Sequence, residues 1–184
     1  MTVQSPKSVR IDTARLYLRP LQRSDCTETY LGWLLDPEVN QYLDVRNSSQ
    51  SSASIIQYVE RLNSSSNEHL FGIFLRDGER HIGNIKIGPI GNTHPVSELT
   101  LMIGDRQAWG RGLGTEAIRA ASRYTMDTLG VRKLVAGMFA ANQASYKAFI
   151  NAGFEHEGMR RKHYLLDGVM SDVLLVGMTE DNLT

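Results

Sequence analysis

Gln107-Ala108-Trp109-Gly110-Arg111-Gly112-Leu113-Gly114-Thr115-Glu116 decides how this chain is read. Three glycines alternate with other residues, a strand-like apolar segment from Glu98 to Ile103 precedes them, and a helix-type run follows. Glycine takes positive φ without a Cβ penalty and lets a ligand approach the backbone closely. The first N–H groups of a helix lack partners within it, and the helix dipole favours an anion there. The segment therefore reads as a phosphate cradle, against the alternative of a tight turn with no ligand. It is not a Walker loop, because no Gly-Lys-Ser/Thr follows. Nor is it a dinucleotide fingerprint: the spacing is Gly-x-Gly-x-Gly, mid-chain, with no opening βαβ unit.

A second block lies downstream, Asn142-Gln143-Ala144-Ser145-Tyr146-Lys147-Ala148-Phe149-Ile150-Asn151-Ala152-Gly153-Phe154. Asn142 suits a helix N-cap. Ser145, three residues on, shares its helix face. Gly153 suits the C′ position after the helix, where positive φ is needed, and Phe154 starts a strand.

Together these blocks resemble the GNAT acetyltransferases, whose pyrophosphate loop has the pattern Arg/Gln-x-x-Gly-x-Gly/Ala. Two registers fit: Gln107 with Gly110 and Gly112, or Trp109 with Gly112 and Gly114. The form Trp-Gly-x-Gly-x-x-Thr-Glu-Ala resembles the Rim-type branch, named for acetyltransferases of ribosomal proteins. The resemblance implies acetyl-coenzyme A as cofactor. It would be held by Trp109, Gly110, Arg111, Gly112, Leu113, Gly114 and Thr115 in the loop, with Lys147 and Arg106 as further phosphate contacts. Asn142 and Ser145 would contact the pantetheine arm. Backbone groups of Leu101, Met102 and Ile103 would hold that arm and polarise the thioester, the oxyanion donor being a strand N–H near Met102.

Bulk properties agree with one α/β domain over residues 1–184. Residues 1–12 are polar and expected to be flexible. The formal net charge is zero, which argues against a general attraction to nucleic acid. A lone cysteine, Cys26, permits no intrachain disulfide and suggests a reducing, cytoplasmic setting. No apolar run reaches membrane-spanning length, and no metal site is expected.

The pattern of elements predicts a strand over 14–20, a helix capped by Ser24 or Asp25 that ends near Leu35, and a restart at Asp36-Pro37. A Ser-rich stretch over 47–54 and a helix over 53–62 follow. Strands at 70–75, 80–90 and 96–103 form a meander. A helix over 115–129, a strand over 131–139 and the short helix over 143–152 come next. A last hairpin, 154–166 with 170–178, turns at Asp167-Gly168. This order is similar to the GNAT fold over nearly the whole chain. It implies a mixed, mostly antiparallel sheet flanked by helices, with a splayed strand pair that takes the cofactor.

The implied reaction is attack of a primary amine on the acetyl thioester. A Lys-type amine has a pKa of about 10, so a base helps. Glu98, on the strand entering the cradle, is the candidate base; a solvent-facing strand residue is the alternative. Many relatives carry a tyrosine acid seven residues after the asparagine, and here that position is Phe149. Ser145 or Tyr146 could take over, or the thiolate could leave unaided. Trp33, Tyr42, Arg46, His163 and Tyr164 are the candidate acceptor contacts, with Glu157 beside them. Asp172 fits a position common in the Rim-type branch, with ordering of the last hairpin as the alternative, and His81 reads as structural.

Trp33-Leu34-Leu35-Asp36-Pro37-Glu38-Val39 resembles the opening helices of Rim-type enzymes and of relatives that acetylate amino-sugar nucleotides. His81-Ile82-Gly83-Asn84-Ile85 and Asp172-Val173-Leu174-Leu175 lean to the latter. The expected acceptor is thus a small-molecule amine such as an amino sugar. A protein N-terminus is the alternative, and a non-catalytic coenzyme A sensor is a third reading kept open by Phe149. Relatives often dimerise, so a homodimer is a further expectation.

Overall fold

The computed structural model describes residues 9–182. Residues 1–8, most of the stretch expected to be flexible, lie outside them. Ile11–Asp12, read as part of that stretch, instead form a short edge strand, β1, paired with β2 (Leu16–Pro20). Then come α1 (Glu28–Leu35), α2 (Pro37–Asn40), α3 (Ser52–Asn63), β3 (His69–Leu75), β4 (His81–Ile90), β5 (Val96–Ile103), α4 (Leu113–Leu129), β6 (Lys133–Phe139), α5 (Gln143–Ala152), β7 (Glu155–Leu166) and β8 (Val169–Thr179).

Local chemistry explains most boundaries. Thr27 caps α1 by accepting the Tyr30 N–H at 3.3 Å, in place of Ser24 or Asp25. Asp25 is committed elsewhere, since both its carboxylate oxygens accept from the Arg19 guanidinium at 2.7 and 2.8 Å. Asp36 caps α2, with Pro37 at its first position, where a missing N–H costs nothing. The Ser-rich stretch is ordered by reciprocal bonds between Ser51 and Ser54 that start α3. Gly130 (φ 68°) and Gly153 (φ 108°) end α4 and α5 in the left-handed conformation.

All eight strands share one sheet, in the order β1-β2-β3-β4-β5-β6-β8-β7. Only β5 and β6 run parallel. The sheet's inner strands are covered on both faces, whereas β7 is exposed along most of its length. Leu16 and Leu18 enter a cluster with Ile118, Leu134 and Phe149, while Tyr17 between them enters a second cluster with Tyr30, Trp33 and Val59. Hence α4 and α5 cover one face, and α1 and α3 the other.

The β5–β6 pair positions the site. Its ladder joins Val96 to Lys133, Ser97 to Leu134 and Glu98 to Val135, then stops. Beyond those positions the strands diverge, each hydrogen-bonded on its outer side only, β5 to β4 and β6 to β8. The expected splayed pair is present.

Candidate active site

The cradle is assembled at the end of β5. Asp105 caps a short 3-10 turn, accepting the Gln107 N–H at 2.9 Å. Gly110 and Gly112 then take φ of 70° and 73°, a region that disfavours other residues. Gly112 is the N-cap of α4, and no side chain caps that helix. The first helical bond runs from Glu116 N–H to Gly112 C=O at 3.1 Å. The N–H groups of Leu113, Gly114 and Thr115 precede it and point out of the helix start, as an anion site requires. A methyl group on Gly114 would come within 3.2 Å of Leu101 Cδ2, so the helix start lies close on β5.

Glu116 fixes this start. Its carboxylate accepts from Thr13 Oγ1 (2.7 Å), Arg15 N–H (2.8 Å) and Arg15 Nε (2.7 Å). Burial pushes this carboxyl up, but those hydrogen bonds override it and hold the group below its ordinary range. Arg15 Nη1 also donates to Arg111 C=O at 2.9 Å, inside the loop. Neither Glu116 nor Arg15 was legible as a cradle support, because they lie 101 residues apart in sequence.

The ladder decides which groups of β5 face the fork. Gly104 N–H bonds Ile82 C=O at 2.9 Å, which sets the phase of pairing with β4. In an antiparallel ladder hydrogen-bonded pairs alternate. Met102 and Asn84 therefore exchange bonds, while Leu101 and Ile103 turn their N–H and C=O toward β6. The N–H of Met102 is thus committed to β4, and its side chain packs into the second core cluster. Trp109 Nε1 donates to Ile103 C=O at 2.8 Å. That bond spends the indole N–H on tying the loop to the strand. Leu101 N–H and C=O, with Ile103 N–H, remain at the open edge.

A cleft of about 570 Å³ opens where the strands part. It brings together Tyr42, Glu98, Leu101, Asn142, Ser145, Glu157 and Tyr164, all anticipated, and also Phe139, Phe149 and Arg160. Glu98 is exposed on β5, and among the described residues no side-chain hydrogen bond engages it. Asn142 Oδ1 accepts the Ser145 N–H at 3.1 Å, leaving the serine hydroxyl free of that cap. Tyr42, Phe139 and Tyr164 form an aromatic wall, with centroids 6.0 and 5.9 Å apart in succession. Phe149 is 2% exposed and packs edge-on against Phe154 at 5.0 Å.

Other anticipated residues sit elsewhere. Trp33 is buried, packed against His81 at 4.9 Å and over Gly104, where a Cβ would strike its ring at 2.1 Å. It belongs to the core because Gly104 leaves room for the indole. Tyr146 faces away from the cleft, against His156 at 6.0 Å. Arg46 pairs with Asp167 at the tip of the β7–β8 hairpin and donates to Gln41 C=O at 2.6 Å, so it straps the hairpin down. His163 lies on the exposed β7 bulge, 4.4 Å from the Tyr164 ring centroid. Lys147 and Arg111 are exposed. Arg106 pairs with Asp36 and Glu38, and Gln107 accepts from Arg80, so neither is free for phosphate. Asp172 accepts the Lys162 N–H at 2.7 Å and does order the hairpin. His81 is structural: its Nε2 lies 3.0 Å from Gly83 C=O and 2.8 Å from Asn84 Oδ1.

Among the described residues no helix is long and apolar enough to cross a membrane. Comparison with known proteins agrees with this geometry. A Bacillus subtilis (strain 168) protein named Probable N-acetyltransferase YjcK is 29% identical over 164 residues, covering 85% of this chain and 90% of that protein. The Escherichia coli (strain K12) [ribosomal protein uS5]-alanine N-acetyltransferase is 32% identical over 117 residues, 62% of this chain and 59% of that enzyme. The solved structure of Vibrio cholerae spermidine N-acetyltransferase with CoA and spermine superposes with a TM-score of 0.81 at 18% identity, over 93% and 99% of the two chains. A family model described as an acetyltransferase (GNAT) domain matches residues 15–155, so the chain belongs to the GNAT acetyltransferases and is an N-acetyltransferase.

Proposed function

We propose that this N-acetyltransferase moves the acetyl group of acetyl-coenzyme A to the primary amine of a small molecule, an amino sugar being the favoured class. The observation that carries the cofactor assignment is the coincidence of two features. An uncapped helix start built on left-handed Gly110 and Gly112 stands at the end of β5, and that same strand loses its partner beyond Glu98. Pyrophosphate at the first fits a pantetheine arm running along the second.

The group supplies an activated acetyl thioester when bound. Leu113, Gly114 and Thr115 N–H receive the pyrophosphate, with Arg111 beside them. Leu101 C=O and Ile103 N–H would hold the arm, and Leu101 N–H would serve as the donor to the thioester carbonyl. This moves the expected donor from Met102 to its neighbour. Glu98 takes the proton from the incoming amine, directly or through water. Asn142 and Ser145 would contact the end of the arm, and Ser145 Oγ would donate to the departing sulfur.

A cleft of about 570 Å³ that must also take the end of the arm leaves room for a small acceptor. The similarity to the uS5-alanine enzyme favours a protein N-terminus as the second reading. A sensor without turnover is the third.

The test is calorimetry with acetyl-coenzyme A, followed by thiol release on a panel of amino sugars, polyamines and N-terminal peptides. Binding with release on amino sugars is the expected result. Release on peptides alone transfers the assignment to the second reading, and binding without release on any of them to the third.

A further inference from the structure

We infer that the acceptor carries an anionic group, a phosphate or carboxylate, and that Arg160 receives it. The inference rests on the acetyl-transfer reading of the cleft and narrows its substrate class.

Arg160 is the last regular residue before an irregularity in β7. It pairs with Val173, whereas Tyr164 pairs with Ser171, so β7 spends two more residues than β8 between those points. Lys162 sits at the bulge with φ 51°, and its N–H is held by Asp172 Oδ1 at 2.7 Å. A bulge re-aims the side chains beside it. Arg160 lines the cleft beside Val173, its partner on β8, and the bulge begins immediately after it.

The charge pattern is uneven. Around the cleft, Lys133 is neutralised by Glu157 and Arg46 by Asp167, and the lining carboxylates without an ion pair among the described residues are Glu98 and Asp44. Among the described residues, Arg160 and its neighbours Arg161 and Lys162 have no carboxylate partner. The recorded side-chain contact of Arg160 is with His163, Nη1 to Nε2 at 3.4 Å. A solvated surface cation needs no partner, so the weight lies in Arg160's place on a cleft wall. A guanidinium there presents two parallel donors to a planar or tetrahedral anion.

The cleft also has a direction. Along β6, Glu98 stands level with Val135, and Arg160, through Val173, level with Phe139. Those two levels are about 13 Å apart at four residues of strand rise. Side chains from both ends shorten that span. Between them lie the aromatic faces of Tyr42, Phe139 and Tyr164. The arrangement suits a molecule with its amine toward Glu98, a ring or short chain against the aromatics, and an anion toward Arg160.

The experiment compares glucosamine with glucosamine 6-phosphate, together with spermidine and an N-terminal peptide, on wild type, Arg160→Ala, Arg160→Lys and Arg160→Glu. Wild type is expected to show kcat/KM at least tenfold higher for the phosphate ester than for the free sugar, with the difference mainly in KM. Arg160→Ala is expected to bring that ratio near one, Arg160→Lys to restore part of it, and Arg160→Glu to reverse it. Acetyl-coenzyme A affinity, measured separately, is expected to stay within twofold in all variants, which also reports that they fold. Equal turnover of the two sugars by wild type, a ratio insensitive to Arg160→Glu, or exclusive turnover of spermidine or peptide overturns the inference. Loss of acetyl-coenzyme A binding in wild type would instead overturn the underlying acetyl-transfer reading.

Discussion

Glu116 and Arg15 are joined twice, through the backbone N–H of Arg15 at 2.8 Å and its Nε at 2.7 Å, so the first turn of α4 is tied to the lead-in of β2. The same arginine reaches Arg111 C=O, and one residue thereby braces both the helix start and the loop. The cradle is rigid because a strand on the other side of the glycines holds it. Preorganised N–H groups bind an anion without an ordering cost.

Glu116→Gln keeps the shape and loses the charge. It is expected to lower stability by about 2 kcal/mol at pH 7, the scale of hydrogen bonds to a charged group. The carboxyl titrates below its ordinary 4.5 in the fold, so its stabilisation is present above that pH and is lost as pH falls through the folded value. The gap between wild type and variant should therefore narrow below pH 4.5. Urea unfolding at pH 7 and pH 3.5 measures it, and a gap that does not change with pH would show that the charge is not the stabilising element.

Gly112 and Gly130 stand at opposite ends of α4 with φ of 73° and 68°. An alanine at either incurs a left-handed strain of about 1–2 kcal/mol. Only Gly112 belongs to the cradle. Gly112→Glu is expected to weaken acetyl-coenzyme A binding at least 100-fold, through strain and a carboxylate facing the pyrophosphate. Gly130→Ala should lose comparable stability and keep the affinity. Calorimetry and thermal melting on the two variants separate these effects; equal affinities would remove the phosphate from Gly112.

His81 is held in a ring of Tyr30, Trp33 and Phe74. Burial pushes its imidazole below the usual 6.5, and the hydrogen bonds to Asn84 and Gly83 oppose that only in part. The unfolded chain takes up a proton near 6.5 and the folded chain does not, so stability falls as pH drops below 6.5. A loss of about 1 kcal/mol between pH 7 and 5.5 is expected from this group. An NMR titration of the His81 ring checks the cause; protonation at or above 6.5 would contradict it.

The local signals in the sequence were strong where chemistry is local. Glycines with positive φ, the Pro37 start, the Asn142 cap and the Asp167-Gly168 turn act over a few residues, and each marks its element correctly. The splayed strands were legible only through the family resemblance, because divergence is a relation between β5 and β6 and leaves no periodicity in either. Trp33 was misplaced for a similar reason. A tryptophan on an amphipathic helix fits a binding wall or a core, and Gly104, 71 positions on, decides for the core. Which carbonyls of β5 face the fork depends on ladder phase, set by a bond between Gly104 and Ile82. Arg160 had a visible signal in the run Arg160-Arg161-Lys162-His163, but a basic run on a strand is usually a solvated edge, and only pairing with Val173 places one member in the cleft.

Ser145 and Tyr146 are neighbours in sequence with opposite surroundings. Ser145 lines the cleft, and Tyr146 packs on His156. With Phe149 in the core and unable to donate a proton, Ser145 is the hydroxyl proposed to serve the departing sulfur. Ser145→Ala is expected to lower kcat about tenfold, and Tyr146→Phe to leave it within about twofold, as suits a modest contribution from proton donation to a fair leaving group. Glu98→Gln is expected to cost more, about 100-fold in kcat/KM, because the amine must lose a proton. The loss should be largest at low pH, where free amine is scarce. Steady-state kinetics from pH 6 to 9 on the three variants decide the roles. A Glu98→Gln profile parallel to wild type would leave Glu98 as a strand residue and return the proton to solvent. A Tyr146→Phe loss exceeding that of Ser145→Ala would mean that α5 turns a different face to the cofactor.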